Sequence, residues 1–135
     1  MIEDSCELLP IIGTHSELVQ KLKSTQVVNC FLINIDNFSN INSAYGYEVG
    51  NKVLCSVVQN LHIVKSIDMA LYRYSTDKFV LLNEKDLTTL EMQRTAETIL
   101  SFFSNTELTV GKIELKISLS IGISKGIGLS NISNA

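Results

Sequence analysis

From Val27 to Ile35 the chain is apolar at every position except Asn29 and Asn34, and the run then stops abruptly at Asp36 and Asn37. An apolar run of this kind, without clean alternation, reads as a strand covered on both faces, which places it at the centre of a sheet. Such a strand needs a neighbour on each edge and packed layers above and below, so the rest of the chain has to supply them. At its C-terminal end Asn34, Asp36 and Asn37 put amide and carboxylate oxygens where a strand leaves its sheet, a common position for a nucleotide or metal site. From these residues alone the plainer reading is favoured, that Asp36 and Asn37 simply end the strand and cap the helix that follows.

The remaining elements follow from periodicity. Phe38 to Ala44 is expected to form a short helix broken at Gly46, and Glu48 to His62 a longer one with Val49, Val53, Leu54, Val57, Val58 and Leu61 on its buried face. Met69 to Tyr74 and Phe79 to Leu82 read as two strands joined through Ser75-Thr76-Asp77-Lys78 into a β-hairpin. Asp86 to Phe103 is the next helix, with Thr88 and Glu91 at capping-box spacing. Thr14 and Glu17 repeat that spacing and open an earlier helix to about Ser24. Finally Ile113, Leu115, Ile117, Leu119, Ile121 and Ile123 alternate with polar residues, the pattern of one last strand with a buried and a wetter face. The order αβααββαβ fits an α+β fold with a mostly antiparallel sheet and helices against it. Residues 1 to 13 read as a lead-in broken by Pro10 and Gly13, and Lys125 to Ala135, rich in Gly, Ser and Asn, as a mobile tail.

At 135 residues the chain is expected to be one domain. A net charge of −3 and a pI near 5.3 argue against a nucleic-acid or anionic-membrane surface, either of which needs clustered Lys and Arg. No apolar run reaches the ~18 residues of a membrane span and no secretory signal is visible, so the chain reads as cytoplasmic. Cys6, Cys30 and Cys55 are odd in number and lack C-x-x-C spacing, which predicts thiols rather than disulfides or zinc ligands. His15 reads as a solvated loop histidine.

The central stretch resembles the first half of the GGDEF family, the diguanylate cyclase-like domains of bacterial cyclic di-GMP signalling, whose pattern runs roughly D-x-D-x-F-K-x-x-N-D-x-x-G-H-x-x-G-D-x-x-L. Asp36, Phe38, Asn42, Gly46, Gly50 and Leu54 hold their family places without a gap. Arg73-Tyr74-Ser75-Thr76-Asp77-Lys78-Phe79 stands where the family writes R-Y-G-G-D/E-E-F, and a strand ending in Ser-Ile-Gly-Ile-Ser at Ser124 closes the match. Upstream, Glu7 to His15 matches the family's D-x-L-T-G-L-P-N-R only loosely. The resemblance implies a ferredoxin-like, polymerase-palm-like core. It also implies one GGDEF-like domain over residues 1–135 that stops short of the family's last helix and strand.

What the resemblance implies for chemistry is the joining of two GTP molecules, one on each protomer of a facing dimer, with a divalent metal neutralising the phosphates. The first family metal ligand falls on Asn34, an amide without charge, and the second on Asp77. One remaining acidic ligand holds a hard cation such as Mg²⁺ poorly, and Asp36, two residues along the strand, is a weak candidate to replace the lost one. The family glycines are Ser75 and β-branched Thr76, which resists positive φ. The next acidic position is Lys78, and the family Lys after the Phe is Ser39. Asn42 keeps the guanine-reading amide, whereas its acidic partner is Asn51, a neutral acceptor without charge assistance. Lys65-Ser66-Ile67-Asp68 is a reduced form of the family's R-x-x-D inhibitory site, displaced by one residue, and reads as an ordinary connection.

These departures favour a degenerate, catalytically inactive GGDEF domain with a regulatory or scaffolding role and no catalytic residues of its own. Two alternatives stay open. One is a GTP-binding sensor without turnover that uses Asn42, Asn51 and Asp77; the other is an active diguanylate cyclase with altered metal ligands at Asn34 and Asp77. No cofactor is expected, except Mg²⁺ with GTP where the site retains function. The resemblance allows an EAL-type phosphodiesterase module or another signalling domain as partner, and a homodimer; neither nucleic acid nor a membrane span is expected.

Overall fold

The computed structural model describes residues 12–24 and 28–127. The elements are α1 (His15–Ser24), β1 (Val28–Ile35), α2 (Phe38–Tyr45), α3 (Tyr47–Val64), β2 (Ala70–Ser75), β3 (Lys78–Asn83), α4 (Thr89–Ser104), β4 (Glu107–Val110), β5 (Ile113–Lys116) and β6 (Leu119–Ile127). Four strands form one antiparallel sheet in the order β2-β3-β1-β6, so the apolar run at β1 is indeed an interior strand. The architecture is the expected α+β sheet flanked by helices. The segment before residue 12, with Cys6 and the first part of the loose family match, and residues 128–135 of the expected tail lie outside the described residues.

Alternation along β1 sends its residues to two separate layers. Phe31, Ile33 and Ile35 join Leu71, Phe79 and Leu81 from the neighbouring strands in the main core. Over them lie Val53, Leu54, Val57, Val58 and Leu61 of α3 and Met92, Ala96, Ile99 and Phe103 of α4. The opposite face is smaller: Cys30, Val80 and Leu82 pack on Leu18 and Leu22 of α1. That layer does not reach the whole strand, because Leu32, opposite Gly122 of β6, stays 38% exposed. Coverage on both faces therefore holds for the first half of β1 and fails beyond it.

Helix ends follow local chemistry. At α4 the Thr88 hydroxyl accepts from Glu91 N at 3.1 Å while the Glu91 carboxylate accepts from Thr88 N at 2.8 Å. The helix consequently starts after Thr88, not at Asp86. Between α2 and α3, Gly46 adopts φ 91°, a backbone conformation that side chains disfavour; its N–H closes α2 on Asn42 O and its carbonyl opens α3 by accepting from Gly50 N. Asn37 takes the left-handed region at φ 58° and makes no side-chain cap, so it turns the chain into α2 without the capping expected of it.

The expected single last strand is two. The segment Ile113–Lys116 pairs with a strand the periodicity missed, Glu107–Val110, in a separate two-stranded sheet closed at Gly111 with φ 62°. Only from Leu119 does the chain join β1. The cysteine expectation also needs correcting: Cys30 is a buried thiol whose pKa burial pushes up to about 11, whereas Cys55 is disulfide-bonded. His15 opens α1 and packs its ring 5.5 Å from that of Tyr74.

Candidate functional site

The C-terminal end of β1, the β2–β3 turn and the start of β6 meet at one end of the sheet. Asn34 stands opposite Lys78 of β3 on one side and Ser120 of β6 on the other. Just beyond, Ile35 N donates to Asp77 O at 3.0 Å. The register thus brings Asn34 and Asp77 to the same strand end; α2, which carries Asn42, follows directly from it, and α3, which carries Asn51, follows α2 after the break at Gly46.

Asp36 is committed to the fold. Its carboxylate accepts from the Ser120 hydroxyl at 2.7 Å and the Ser118 hydroxyl at 2.9 Å, with the Asn34 amide at 3.4 Å. Its own N–H donates to Ser118 O at 2.9 Å. The Ser120 bond, chiefly, lowers its pKa; desolvation opposes this, and Ser118 and Asn34 assist. This clamp ties the end of β1 to the point where the chain passes from the small sheet into β6. Its signal in the sequence, two serines at alternate positions of a strand, gives no indication of which carboxylate they meet.

The turn bearing Asp77 is a two-residue hairpin closed by the Ser75–Lys78 pair, with a bulge between Arg73 and Ser75. None of Ser75, Thr76 and Asp77 has positive φ, so the conflict expected at β-branched Thr76 does not arise. Arg73 braces the loop from beneath: Nε donates to Ser75 O and a terminal guanidinium nitrogen to Thr76 O, each at 3.0 Å, while the guanidinium lies 5.7 Å from the Phe79 ring centre. Asp77 itself pairs with Lys78, Nζ to Oδ1 3.5 Å, both side chains being partly exposed at 29% and 42%.

This donor set fits a divalent cation poorly. Among the described residues no group of three His, Cys, Asp or Glu side chains could hold a metal. A hard cation binds through several oxygens, preferably charged. Here one nearby carboxylate is bonded to two serines, the other faces an ammonium, and the position between the strands is an amide.

Asn42 and Asn51 sit at the junction of α2 and α3, which pack on each other. Asn42 folds its carboxamide onto Gly50 so closely that a Cβ at residue 50 would lie 1.8 Å from Asn42 Oδ1. Asn51, the next residue along α3, is exposed. The reduced inhibitory motif is used internally: Asp68 pairs with Lys85 at 2.8 Å and accepts from Ser66, while Lys65 Nζ donates to Met69 O at 2.8 Å. The Lys85 and Ser66 bonds hold the Asp68 carboxyl down to about 2.

Comparison with known proteins bears on the family and the fold. The family model "Diguanylate cyclase, GGDEF domain" matches residues 13–131. The response regulator PleD of Caulobacter vibrioides is 34% identical over 104 residues, covering 75% of this chain and 22% of PleD. Diguanylate cyclase DgcM of Escherichia coli is 28% identical over 124 residues, covering 88% of this chain and 28% of that protein. The chain therefore spans about a quarter of the length of these relatives. Among solved structures, the FimX GGDEF domain from Pseudomonas aeruginosa superposes with a TM-score of 0.80 at 14% identity, covering 91% of this chain and 83% of that one. An EAL/GGDEF domain protein from M. capsulatus does so at 0.70 and 27% identity, covering 78% and 70%. No helix among the described residues is long and apolar enough to cross a membrane. Because the family model matches residues 13–131 of the 135 in this chain, the chain belongs to the GGDEF family.

Proposed function

We propose that this chain is a catalytically silent GGDEF domain that regulates or scaffolds cyclic di-GMP signalling in the cytoplasm. The observation that carries the reading is the state of the acidic positions at the strand end: Asn34 brings no charge, Asp36 is bonded to Ser118 and Ser120, and Asp77 faces Lys78. A reaction that needs clustered carboxylates to hold metal against phosphate has none to spare here. Asn34 and Asp77 are accordingly vestigial metal positions, with Mg²⁺ entering only alongside GTP. An EAL-type phosphodiesterase module, another signalling domain or a second copy of the chain is the partner through which a silent domain acts. The solved relatives include an EAL/GGDEF protein and a diguanylate cyclase in complex with its activator, which supports partners of that class.

A second reading, a GTP sensor without turnover, is favoured by the guanine-reading position alone: Asn42 is seated on Gly50, with Asn51 beside it. Calorimetric titration with GTP separates the two. Loss of charge at Asn34 and Asn51 leaves roughly −5 kcal/mol of binding, a Kd no tighter than the high micromolar range, with little help from Mg²⁺. Low-micromolar binding abolished by Asn42→Ala replaces the silent domain with the sensor.

A further inference from the structure

The break between α2 and α3 carries two tyrosines that the core does not use. Tyr45 is 45% exposed and Tyr47 77%. Gly46 between them is required by its backbone, but nothing in the turn requires an aromatic ring on either side. A packed tyrosine buries about 150–250 Å², so a ring left in water at a helix start forgoes most of what an aromatic side chain contributes.

Helical spacing puts both rings beside the amides. Asn42 and Tyr45 are three apart on α2, and Tyr47 and Asn51 are four apart on α3, so each ring shares a helix face with one amide. Since α2 and α3 pack together, with Asn42 against Gly50, both pairs border one junction. The amides offer donors and acceptors to the edge of a planar base; the rings offer a face. Loss of the carboxylate at Asn51 weakens edge recognition, whereas stacking needs no charge and is worth from about fivefold to above a hundredfold in affinity per base.

We propose that Tyr47 is the stacking platform for a purine base bound at this junction, with Tyr45 bordering the same site. The proposal rests on the assignment of Asn42 and Asn51 as base-reading residues. It adds a prediction that assignment does not make: Tyr47 acts on any purine, while Asn42 selects guanine.

The test is an NMR titration of the full 135-residue chain, its Tyr47→Ala, Tyr47→Phe and Asn42→Ala variants, with GTP, ATP and inorganic tripolyphosphate. Thermal melts check that each variant is folded. Tyr47→Ala is expected to weaken GTP and ATP alike, by at least about fivefold, and leave tripolyphosphate unchanged, while Tyr47→Phe stays within about twofold of the parent. Asn42→Ala weakens GTP alone. If Tyr47→Ala binds GTP like the parent while Asn42→Ala does not, stacking is refuted and base reading survives. Equal weakening of tripolyphosphate places Tyr47 on phosphate and also refutes stacking. Absence of any GTP binding by the parent removes both.

Discussion

Replacing Asp36 by Ala removes the clamp between the end of β1 and the start of β6 and leaves the surrounding core untouched. Two hydroxyl-to-carboxylate bonds are lost, at 2.7 and 2.9 Å; the 3.4 Å contact from Asn34 is too long to add much. Hydrogen bonds to a charged group contribute about 1.5–3 kcal/mol each when buried. Ser118 and Ser120 are exposed, and both rehydrate once the carboxylate is gone, so the loss comes to about 1–2 kcal/mol in total. For a domain of this size that lowers Tm by about 3–10 °C. Urea unfolding followed by circular dichroism measures it. The pH dependence carries a sign. The folded-state pKa of Asp36 lies below its ordinary value of 3.8, so its contribution is fully present above that value and disappears as pH falls through the lowered pKa. The gap between the parent and Asp36→Ala is therefore constant from about pH 7 to about pH 5 and narrows below about pH 4. Equal stabilities near pH 7, or a gap that persists unchanged in acid, refute the clamp.

Gly50→Ala places a methyl where Asn42 Oδ1 now lies while relieving the helix penalty of glycine, so thermal melts shift by no more than about 1 kcal/mol and calorimetry loses whatever GTP signal the parent shows. Thr88→Ala deletes one half of the capping box of α4 and costs about 1 kcal/mol in urea unfolding, with Thr88→Ser restoring it.

Where a local rule decides a structure, the residues announced it. Gly46 was legible because one glycine between two helical periods has little else to do, and Thr88 because Glu91 stands three residues on. The unbroken alternation from Ile113 to Ile123 misled for the same local reason: it contains no breaker at Ile117–Ser118, where the chain changes sheets, and that change is driven by pairing with β1. The missed strand Glu107–Val110 had a signal in Gly111, which takes the positive φ its hairpin requires. The family pattern singled out Asn34, Asn42, Asn51 and Asp77, of which Asn34 and Asp77 lie at one strand end and Asn42 and Asn51 at the α2–α3 junction. What those positions touch is tertiary and had no signature: Ser118 and Ser120 reach Asp36 across more than eighty residues. Thr76 is the instructive case, since its resistance to positive φ holds as a rule but has no bearing on a turn in which Thr76 keeps negative φ.

The proposed silence of the domain rests on the acidic positions at one strand end, where Asn34 brings no charge, Asp36 is bonded to Ser118 and Ser120, and Asp77 faces Lys78, so that reversing any one leaves the others in place. The direct measurement is incubation of the purified protein with GTP and Mg²⁺, followed by chromatography and mass spectrometry for cyclic di-GMP, on the parent and on Asn34→Asp. The account predicts no product above a no-protein control from either; cyclic di-GMP formed by the parent contradicts it.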